Sequence, residues 1–274
     1  MRLTYWLAGI LAAAALLTTQ TLAGQAGTPA QGPTGIIIDD VVVANRILAN
    51  ENILDGLGHI SARSPQRPDH FFLARDLAPG LVTAADLVEY DLDGNPVDTK
   101  APQGYRERYI HAAIFKARRD VNAVVHSHMP SILPYTDSTV ALRPMYHMAA
   151  FLVPGVPMFE IRTVQGQEGM LIDNNKVATA LAQTLGNKTV ALIRGHGAVI
   201  VGTTVPDAVS NAIFLDVNAR VQSQAIALGG GKLSYLTQAD VGAPTANQQP
   251  ATQPGAPGYY PRSWGIWKQN AMKK

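Results

Sequence analysis

The sequence contains no cysteine, which excludes thiolate metal ligands, thiol nucleophiles and disulfide bonds. Any bound metal must therefore be held by histidine and carboxylate side chains. Charged residues are also scarce, at 15% of the 274 residues, and the formal net charge is only +2. No sustained cluster of lysine and arginine precedes the extreme C-terminus, so neither nucleic acid nor an anionic membrane surface is expected as a partner. The 47% hydrophobic content is ample for one sizeable core.

The first 23 residues have the pattern of a secretory signal peptide. Arg2 gives a positive start, an apolar stretch runs from Leu7 to Leu17, and Thr21-Leu22-Ala23 resembles a small-residue cleavage site. The apolar stretch is too short to span a bilayer. We therefore expect a periplasmic or secreted protein with no stable membrane insertion after cleavage; an uncleaved membrane anchor is the alternative.

Composition divides the remaining chain into four segments. Residues 24–35 are small and polar and are expected to form a disordered leader, whereas residues 36–240 carry the pattern of one α/β catalytic domain. Residues 241–258 are rich in proline and glutamine and indicate an irregular linker. Residues 259–274 contain two tryptophans that would be costly to leave in water, so we expect this tail to dock on the body or on a neighbouring subunit.

Hydrophobic periodicity predicts the main elements of the catalytic domain. The predicted helices are 36–50, 105–119, 176–185 and 206–228. The predicted strands lie within 56–63 and at 71–75, 87–92, 121–126, 189–194 and 198–201.

Three histidines in this pattern point to a metal site. His126 and His128 close an apolar strand, and residues two apart on a strand project to the same face. His196 follows a second apolar strand and lies between Gly195 and Gly197, which allow a tight turn and an open approach. A lone histidine is usually a structural one, hydrogen-bonded to backbone. A same-face pair with a third histidine after another strand instead favours a divalent metal with an open coordination position.

Other polar residues lie near these histidines in the predicted order of elements. Glu107, one helix upstream, is a candidate to occupy the open position or to transfer protons, although a helical glutamate is often a solvated surface residue. His111, one turn later, is more simply structural. Arg63, Arg75 and Arg194 stand at strand ends near glycines, where a guanidinium suits a substrate carboxylate or an ordinary ion pair.

The span from about Ile38 to Gly230 resembles the class II aldolase/adducin family. The matching pieces are Gly58-His59-Ile60-Ser61-Ala62-Arg63, Glu107, His126-Ser127-His128 and Arg194-Gly195-His196-Gly197. The resemblance implies an α/β protein with a three-layer αβα fold and a central, mostly antiparallel sheet. It also implies one divalent metal per subunit on His126, His128 and His196, with Glu107 as the acid/base. Zn²⁺ is the first choice, and Mn²⁺, Fe²⁺ and Co²⁺ suit the same donors.

Departures from the sugar-phosphate aldolases of this family concern the substrate. Those enzymes carry an asparagine in the glycine turn and a Thr-Pro-Ser-Gly-like loop, whereas this chain has His59 and Leu73-Ala74-Arg75-Asp76. The chain therefore lacks, at this loop, the small hydroxyl and glycine residues that would let backbone N–H groups bind a phosphate. The segments 72–75, 143–149 and 217–220 instead resemble a branch of decarboxylases acting on hydroxylated aromatic, pyridine or muconic-semialdehyde carboxylic acids.

The resemblance also assigns secondary roles. His147 stands where the sugar-phosphate aldolases have a catalytic tyrosine from a neighbouring subunit, which makes it a second proton-transfer candidate. His59, Arg63, Arg75 and Arg194 are the predicted substrate-binding residues. A homotetramer with active sites between subunits is expected by resemblance alone.

We therefore expect an exported, divalent-metal-dependent carbon–carbon lyase. The predicted reaction is decarboxylation of a hydroxylated aromatic or 2-hydroxy/oxo carboxylic acid through a metal-stabilised enolate. A class II aldolase that cleaves an unphosphorylated hydroxy-carbonyl compound needs the same stabilisation and is the alternative. A non-catalytic metal-binding or adducin-like interaction module is the alternative of another class.

Overall fold

A seven-stranded sheet runs through the protein in the computed structural model, which describes residues 32–166, 169–229, 232–241 and 261–273. The strands are β1 His59–Arg63, β2 His70–Ala74, β3 Leu87–Asp91, β4 Ala123–Ser127, β5 Met158–Phe159, β6 Val190–Ile193 and β7 Gly197–Gly202. Their order across the sheet is β3-β2-β1-β4-β7-β6-β5. Neighbouring strands are antiparallel except β5 and β6, so the predicted mostly antiparallel sheet is confirmed.

Helices cover both faces of this sheet. They are α1 Pro33–Asn50, α2 Arg108–Ala117, α3 Leu133–Thr136, α4 Arg162–Gln165, α5 Asn175–Leu185, α6 Val205–Gly229, α7 Gln238–Val241 and α8 Pro261–Ala271. Short 3₁₀ helices occupy Pro79–Leu81, Ala84–Asp86 and His147–Leu152. α1 and α6 pack on one face, and α2 and α5 pack on the other, which confirms the three-layer αβα fold.

The central strands are buried on both faces, and this explains the apolar runs within them. In β4, Ala123 and Val125 join the core beneath α1 and α6, whereas Val124 joins the core beneath α2 and α5. β7 alternates in the same way between Ile200 and Val201. Because successive side chains on a strand point to opposite faces, both cores draw on the same strands.

Two helices begin three residues away from their predicted starts. α1 begins at Pro33 rather than residue 36, because a proline in the first turn lacks only an N–H that would be unpaired there. The last three residues of the predicted leader are therefore helical. α2 begins at Arg108 rather than Tyr105, since the backbone turns first and leaves Glu107 at the helix N-cap.

The two chain ends are described only in part. The predicted signal peptide lies outside the described residues, as does nearly all of the predicted linker. The C-terminal segment forms α8, which contacts α1 and α6 and packs Trp264 and Trp267 against the core beneath them. Within the described ranges, none of the helices combines the length and apolar character needed to cross a membrane.

Candidate metal centre

Antiparallel register brings the candidate residues to one end of the sheet. His59, the first residue of β1, pairs with His126 near the end of β4. Ser127 in turn pairs with Ala198 at the start of β7. His196 lies in the turn between β6 and β7, and His128 directly follows β4. Residues separated by up to 137 positions in the sequence, from His59 to His196, therefore meet at one edge.

Two glycines make this approach possible. Gly195 has a φ of +61°, in the left-handed region that favours glycine, so it allows the tight turn before His196. Gly197 runs so close to β4 that a Cβ there would overlap the carbonyl oxygen of Ser127. The glycines that bracket His196 are thus required by the geometry of the turn and by the close contact of two strands.

The three histidine rings converge through the same nitrogen. His128 Nε2 lies 3.0 Å from His126 Nε2 and 3.2 Å from His196 Nε2. Zn–N bonds of about 2.0–2.1 Å place two tetrahedral ligands roughly 3.3 Å apart. The observed separations are close to that value, so one ion of this size is able to contact all three rings.

The opposite nitrogen of each ring is held by an acceptor. His126 Nδ1 lies 3.1 Å from the carbonyl oxygen of Ala198, and His196 Nδ1 lies 2.9 Å from that of Met170. His128 Nδ1 lies 3.4 Å from Asp55 Oδ1.

Because carbonyl and carboxylate oxygens only accept hydrogen bonds, the proton of each neutral ring lies on Nδ1. In these neutral rings the Nε2 lone pair of His128 faces those of His126 and His196 at hydrogen-bond distance, with no proton between them. Such an arrangement is repulsive without a cation and is the one that metal-bound histidines adopt. The residues present therefore fit a divalent ion.

Glu107 completes the group. Its Oε2 lies 3.2 Å from His126 Nε2, and its Oε1 lies 3.6 Å from His196 Nε2. The backbone N–H of Ile172 donates to Oε1 at 3.1 Å and fixes the carboxylate. Ligand atoms of Glu107 and the three histidines all lie within 4.8 Å of one another, so these four residues form a candidate metal site.

The electrostatics of this group favour a bound positive charge. Burial opposes ionisation of Glu107, but His126 and His196 outweigh it and hold the pKa of the carboxyl well below its usual range. Burial, together with His126 and His196, lowers the pKa of His128. Glu107 has the opposite effect on His196 and raises its pKa despite burial. The group therefore combines one buried carboxylate with three closely spaced imidazoles, a set of donors that suits a divalent cation.

His59 lies next to the metal group. Its ring centroid is 5.2 Å from that of His126 and 4.6 Å from that of Tyr105, and 1% of the residue is exposed. His59 Nδ1 is hydrogen-bonded to His111 Nε2 at 2.7 Å. His111 is fully buried on α2, in agreement with the structural role that is the simplest prediction for it.

Two of the predicted substrate-binding arginines stand at the same end of the sheet. Arg75 follows β2 and donates from Nε to Asp86 at 2.7 Å. Arg194 follows β6 and lies 3.2 Å from Glu160. More than a third of each arginine side chain is exposed, so both guanidinium groups keep N–H donors at the surface of this edge.

Arg63 lies at the other end of β1. Its guanidinium is buried and donates to four backbone carbonyls, those of Pro68, Phe115, Arg118 and Val121. Two of these carbonyls belong to the C-terminal end of α2, where a cation is favoured. Arg63 therefore does not lie at the predicted substrate site. Its guanidinium instead joins the end of α2 to the neighbouring loops.

His147 begins a 3₁₀ turn and is exposed to solvent. Its ring contacts that of Tyr146, with centroids 6.1 Å apart, and it is not one of the four residues that converge as candidate metal ligands. Its predicted role in proton transfer, which by resemblance involves a neighbouring subunit, stays a prediction.

Sequence reasoning missed Asp55. Besides contacting His128, its Oδ1 accepts hydrogen bonds from the backbone N–H groups of Leu57 at 2.9 Å and Gly58 at 2.8 Å. An aspartate two or three residues before glycine commonly forms such a turn, and this signal was available in Asp55-Gly56-Leu57-Gly58. The contact between this turn and His128 could not be predicted in the same way, because His128 is far away in the sequence.

The family called Class II Aldolase and Adducin N-terminal domain matches residues 39–223 of this chain, so the protein belongs to that family. It is 38% identical over 209 residues to the decarboxylase tropJ of Talaromyces stipitatus, covering 72% of this chain and 79% of that protein. It is 31% identical over 211 residues to the 3,4-dihydroxyphthalate decarboxylase of Arthrobacter keyseri, covering 73% and 83%.

Solved structures agree with this assignment. The aldolase II superfamily protein of Pseudomonas syringae superposes with a TM-score of 0.71 at 25% identity, over 89% of this chain and 95% of that one. The L-fuculose 1-phosphate aldolase of Glaciozyma antarctica gives a TM-score of 0.62 at 25% identity, over 76% and 79%. The predicted family and fold are therefore confirmed, and the relatives include both decarboxylases and an aldolase.

Proposed function

We propose that this protein is a divalent-metal-dependent carbon–carbon lyase that decarboxylates a hydroxylated aromatic carboxylic acid or a related 2-hydroxy or 2-oxo acid. The observation that carries the proposal is the convergence of the Nε2 atoms of three histidines beside the buried Glu107. The two decarboxylase relatives favour loss of CO₂ over other reactions of the same fold.

His126, His128 and His196 would hold the ion, and Zn²⁺ is our first choice for a set of three imidazoles. Mn²⁺, Fe²⁺ and Co²⁺ suit the same donors. A bound divalent ion would supply a Lewis acid that stabilises negative charge on a substrate oxygen.

Glu107 is the proton carrier in this proposal. At neutral pH it is a carboxylate beside the Nε2 atoms of the histidines, so it is placed to accept the proton of a substrate hydroxyl first. Glu107 passes that proton to the ring carbon that bears the carboxylate, which gives a ketone tautomer. The carbon–carboxylate bond then breaks, CO₂ leaves, and its electron pair moves through the ring to the substrate oxygen, which a proton from solvent neutralises. The hydrogen bond from Ile172 holds one carboxylate oxygen, which leaves the other facing the histidines.

Arg75, Arg194 and His59 form the proposed substrate-binding set. Arg75 and Arg194 are tied to Asp86 and Glu160, which orient the guanidinium groups without using all of their N–H donors. A forked pair of donors suits a carboxylate.

The proposal places this activity outside the cytoplasm, because residues 1–23 have the pattern of a cleaved signal peptide. We further propose a homo-oligomer, a tetramer by family resemblance, in which His147 reaches the site of a neighbouring subunit. The exposure of His147 in a single chain is compatible with that role.

Cleavage of an unphosphorylated hydroxy-carbonyl compound is the second candidate. The similarity to the L-fuculose 1-phosphate aldolase favours it, and an aldehyde would leave in place of CO₂. A non-catalytic metal-binding or adducin-like module is the candidate of another class, since the family description includes adducin.

The deciding experiment assays purified, zinc-loaded protein against hydroxylated aromatic acids, including 3,4-dihydroxyphthalate, and against hydroxy-ketones. We expect CO₂ from an aromatic acid, with turnover per bound metal ion reduced about 10²–10⁴-fold in Glu107→Gln. The matched control is Glu89→Gln, which alters a glutamate of β3 that pairs with Arg67. Aldehyde release without CO₂ would favour the aldolase. A protein that binds one ion per chain yet turns over no substrate would favour the non-catalytic module.

A further inference from the structure

A row of three buried polar side chains runs from the interior of the protein to the metal group. Ser61 Oγ lies 2.6 Å from His111 Nδ1, and His111 Nε2 lies 2.7 Å from His59 Nδ1. Ser61 and His111 are fully buried, and His59 is 1% exposed. The row joins β1 to α2 and ends beside His126, which is the cross-strand partner of His59.

The positions of the protons follow from the partners. Within the described part of the chain, His111 Nδ1 is the hydrogen-bond partner of the Ser61 hydroxyl. If His111 carried its proton on Nδ1, the buried hydroxyl hydrogen of Ser61 would have no acceptor. Because a buried donor without an acceptor is strongly disfavoured, Ser61 donates to His111 Nδ1. His111 then carries its proton on Nε2 and donates it to His59 Nδ1.

The same reasoning extends to His59. A neutral ring that accepts at Nδ1 must carry its proton on Nε2, on the side of the ring away from His111. Burial lowers the pKa of His111 to about 3, so that ring is neutral at physiological pH. The row therefore has one direction, with each group donating toward the metal group.

We propose that His111 is a positioning residue which, together with Ser61, holds His59 in its Nε2–H tautomer so that His59 donates a hydrogen bond to a substrate oxygen beside the metal site. The proposal rests on the proposed function for the identity of that oxygen, which gains negative charge as CO₂ leaves. A donor held in place before the reaction stabilises such charge without reorganising. Ser61 and His111 act through His59 and touch no substrate.

The test reads the tautomer of His59 directly. Zinc-loaded protein is labelled with ¹⁵N-histidine, its Nδ1 and Nε2 signals are recorded by NMR without substrate, and His59→Gln identifies the His59 signals. We expect a protonated Nε2 and a bare Nδ1 in the wild type. In His111→Phe, which keeps a ring but removes both nitrogens, and in Ser61→Ala, we expect the His59 signals to shift toward a mixture of tautomers. His111→Gln, whose amide is able to donate to His59, should restore the wild-type pattern.

Zinc content and the melting temperature of each variant control for folding. If His111→Phe does not fold, Ser61→Ala, which removes one buried oxygen, carries the test alone. A protonated Nδ1 on His59 in the wild type, or an unchanged tautomer in every folded variant, would overturn the proposal. His70→Phe is the matched control, since His70 lies at the far end of β2 and bonds Asp69.

Turnover separates this proposal from the proposed function. With an active wild type, we expect kcat to fall about 10-fold or more in His111→Phe and to recover in part in His111→Gln. An unchanged kcat beside a shifted tautomer would overturn the positioning role. An inactive wild type would refute the proposed lyase, yet the NMR arm would still decide whether His111 and Ser61 hold His59.

Discussion

The two ends of β1 carry a histidine and an arginine that the sequence predicts to share one role. His59 and Arg63 are the first and last residues of a five-residue strand, and both are predicted to bind substrate. His59 lies beside the metal group, whereas Arg63 lies about 13 Å away at roughly 3.3 Å per residue. The guanidinium of Arg63 is occupied by backbone carbonyls. The contrast shows that residue type and a strand-end position do not define a functional residue. A polar side chain is available for substrate only where its donors and acceptors are not already bound by the protein itself.

The first prediction concerns the metal end of this comparison and has the largest expected effect. Replacing His126 by alanine removes one of three converging nitrogens, so the purified protein should retain far less than one ion per chain by elemental analysis. Turnover should fall more than about 100-fold, which is the upper range for loss of a residue that merely supports a ligand.

His70→Ala is the matched control for His126→Ala, because it removes a partly exposed histidine at the far end of the sheet. Both the ion and the turnover should survive in it. Full occupancy in His126→Ala would refute the assignment of the site.

The second prediction concerns the arginine end. Arg63→Met keeps the apolar stem and removes every guanidinium donor, so the carbonyls at the end of α2 lose a buried partner. We expect a loss of at least about 3 kcal/mol in the free energy of unfolding, measured by urea denaturation. Hydrogen bonds to charged groups contribute about 1.5–3 kcal/mol each, and the variant loses four, but it also no longer buries a charge, which offsets part of that loss. Arg63→Lys keeps the charge but lacks the several N–H donors of a guanidinium, so its free energy of unfolding should lie between those of the wild type and Arg63→Met.

Metal content and turnover per folded molecule distinguish the two ends of β1. Both should be unchanged in Arg63→Met, since the side chain points to no residue of the metal group. If Arg63→Met is as stable as the wild type but turns over substrate more slowly, Arg63 takes part in substrate binding and the structural interpretation is wrong.

The sequence predicts the elements, and the grouping of His126, His128 and His196, for identifiable reasons. The helix predicted at 176–185 is found at Asn175–Leu185, where Asn174 accepts a hydrogen bond from the backbone of Val177 and Gly186 ends the helix. The His126 and His128 pair depends only on the alternation of side chains along one strand. Each of these signals is local, and local geometry follows from local sequence.

Relations between distant strands could not be predicted in this way. The central strands β4 and β7 are buried at every position, so they show no alternation of buried and exposed residues that would indicate register or neighbour. Register is what pairs His59 with His126 and sends Arg63 to the opposite end. Packing of a loop and of α2 against the sheet brings Asp55 to His128 and His111 to His59, and these side chains are at least 52 positions apart in the sequence.

The third prediction has the smallest effect and concerns how the metal end is supported. Asp55 Oδ1 accepts from His128 and from the backbone of Leu57 and Gly58, so one oxygen orients both a ligand and a turn. Asp55→Asn keeps an oxygen in that position and removes only the charge, whereas Asp55→Ala removes the acceptor. Loss of a group that orients a ligand typically weakens metal binding about 10–100-fold. We expect that range for the alanine variant in a competition titration with a zinc chelator, and a smaller change for the asparagine variant.

Two ways in which Asp55 supports His128 are separated by these variants. If charge dominates, the asparagine variant should bind zinc as weakly as the alanine variant, and the long 3.4 Å contact would then act mainly through its field. If the hydrogen bonds dominate, the asparagine variant should stay near the wild type, because the oxygen that binds three N–H groups is still present. Equal affinity in all three proteins would mean that His128 is oriented by β4 alone. The metal end would then resemble the arginine end, in that the backbone and not a side-chain acceptor sets the geometry.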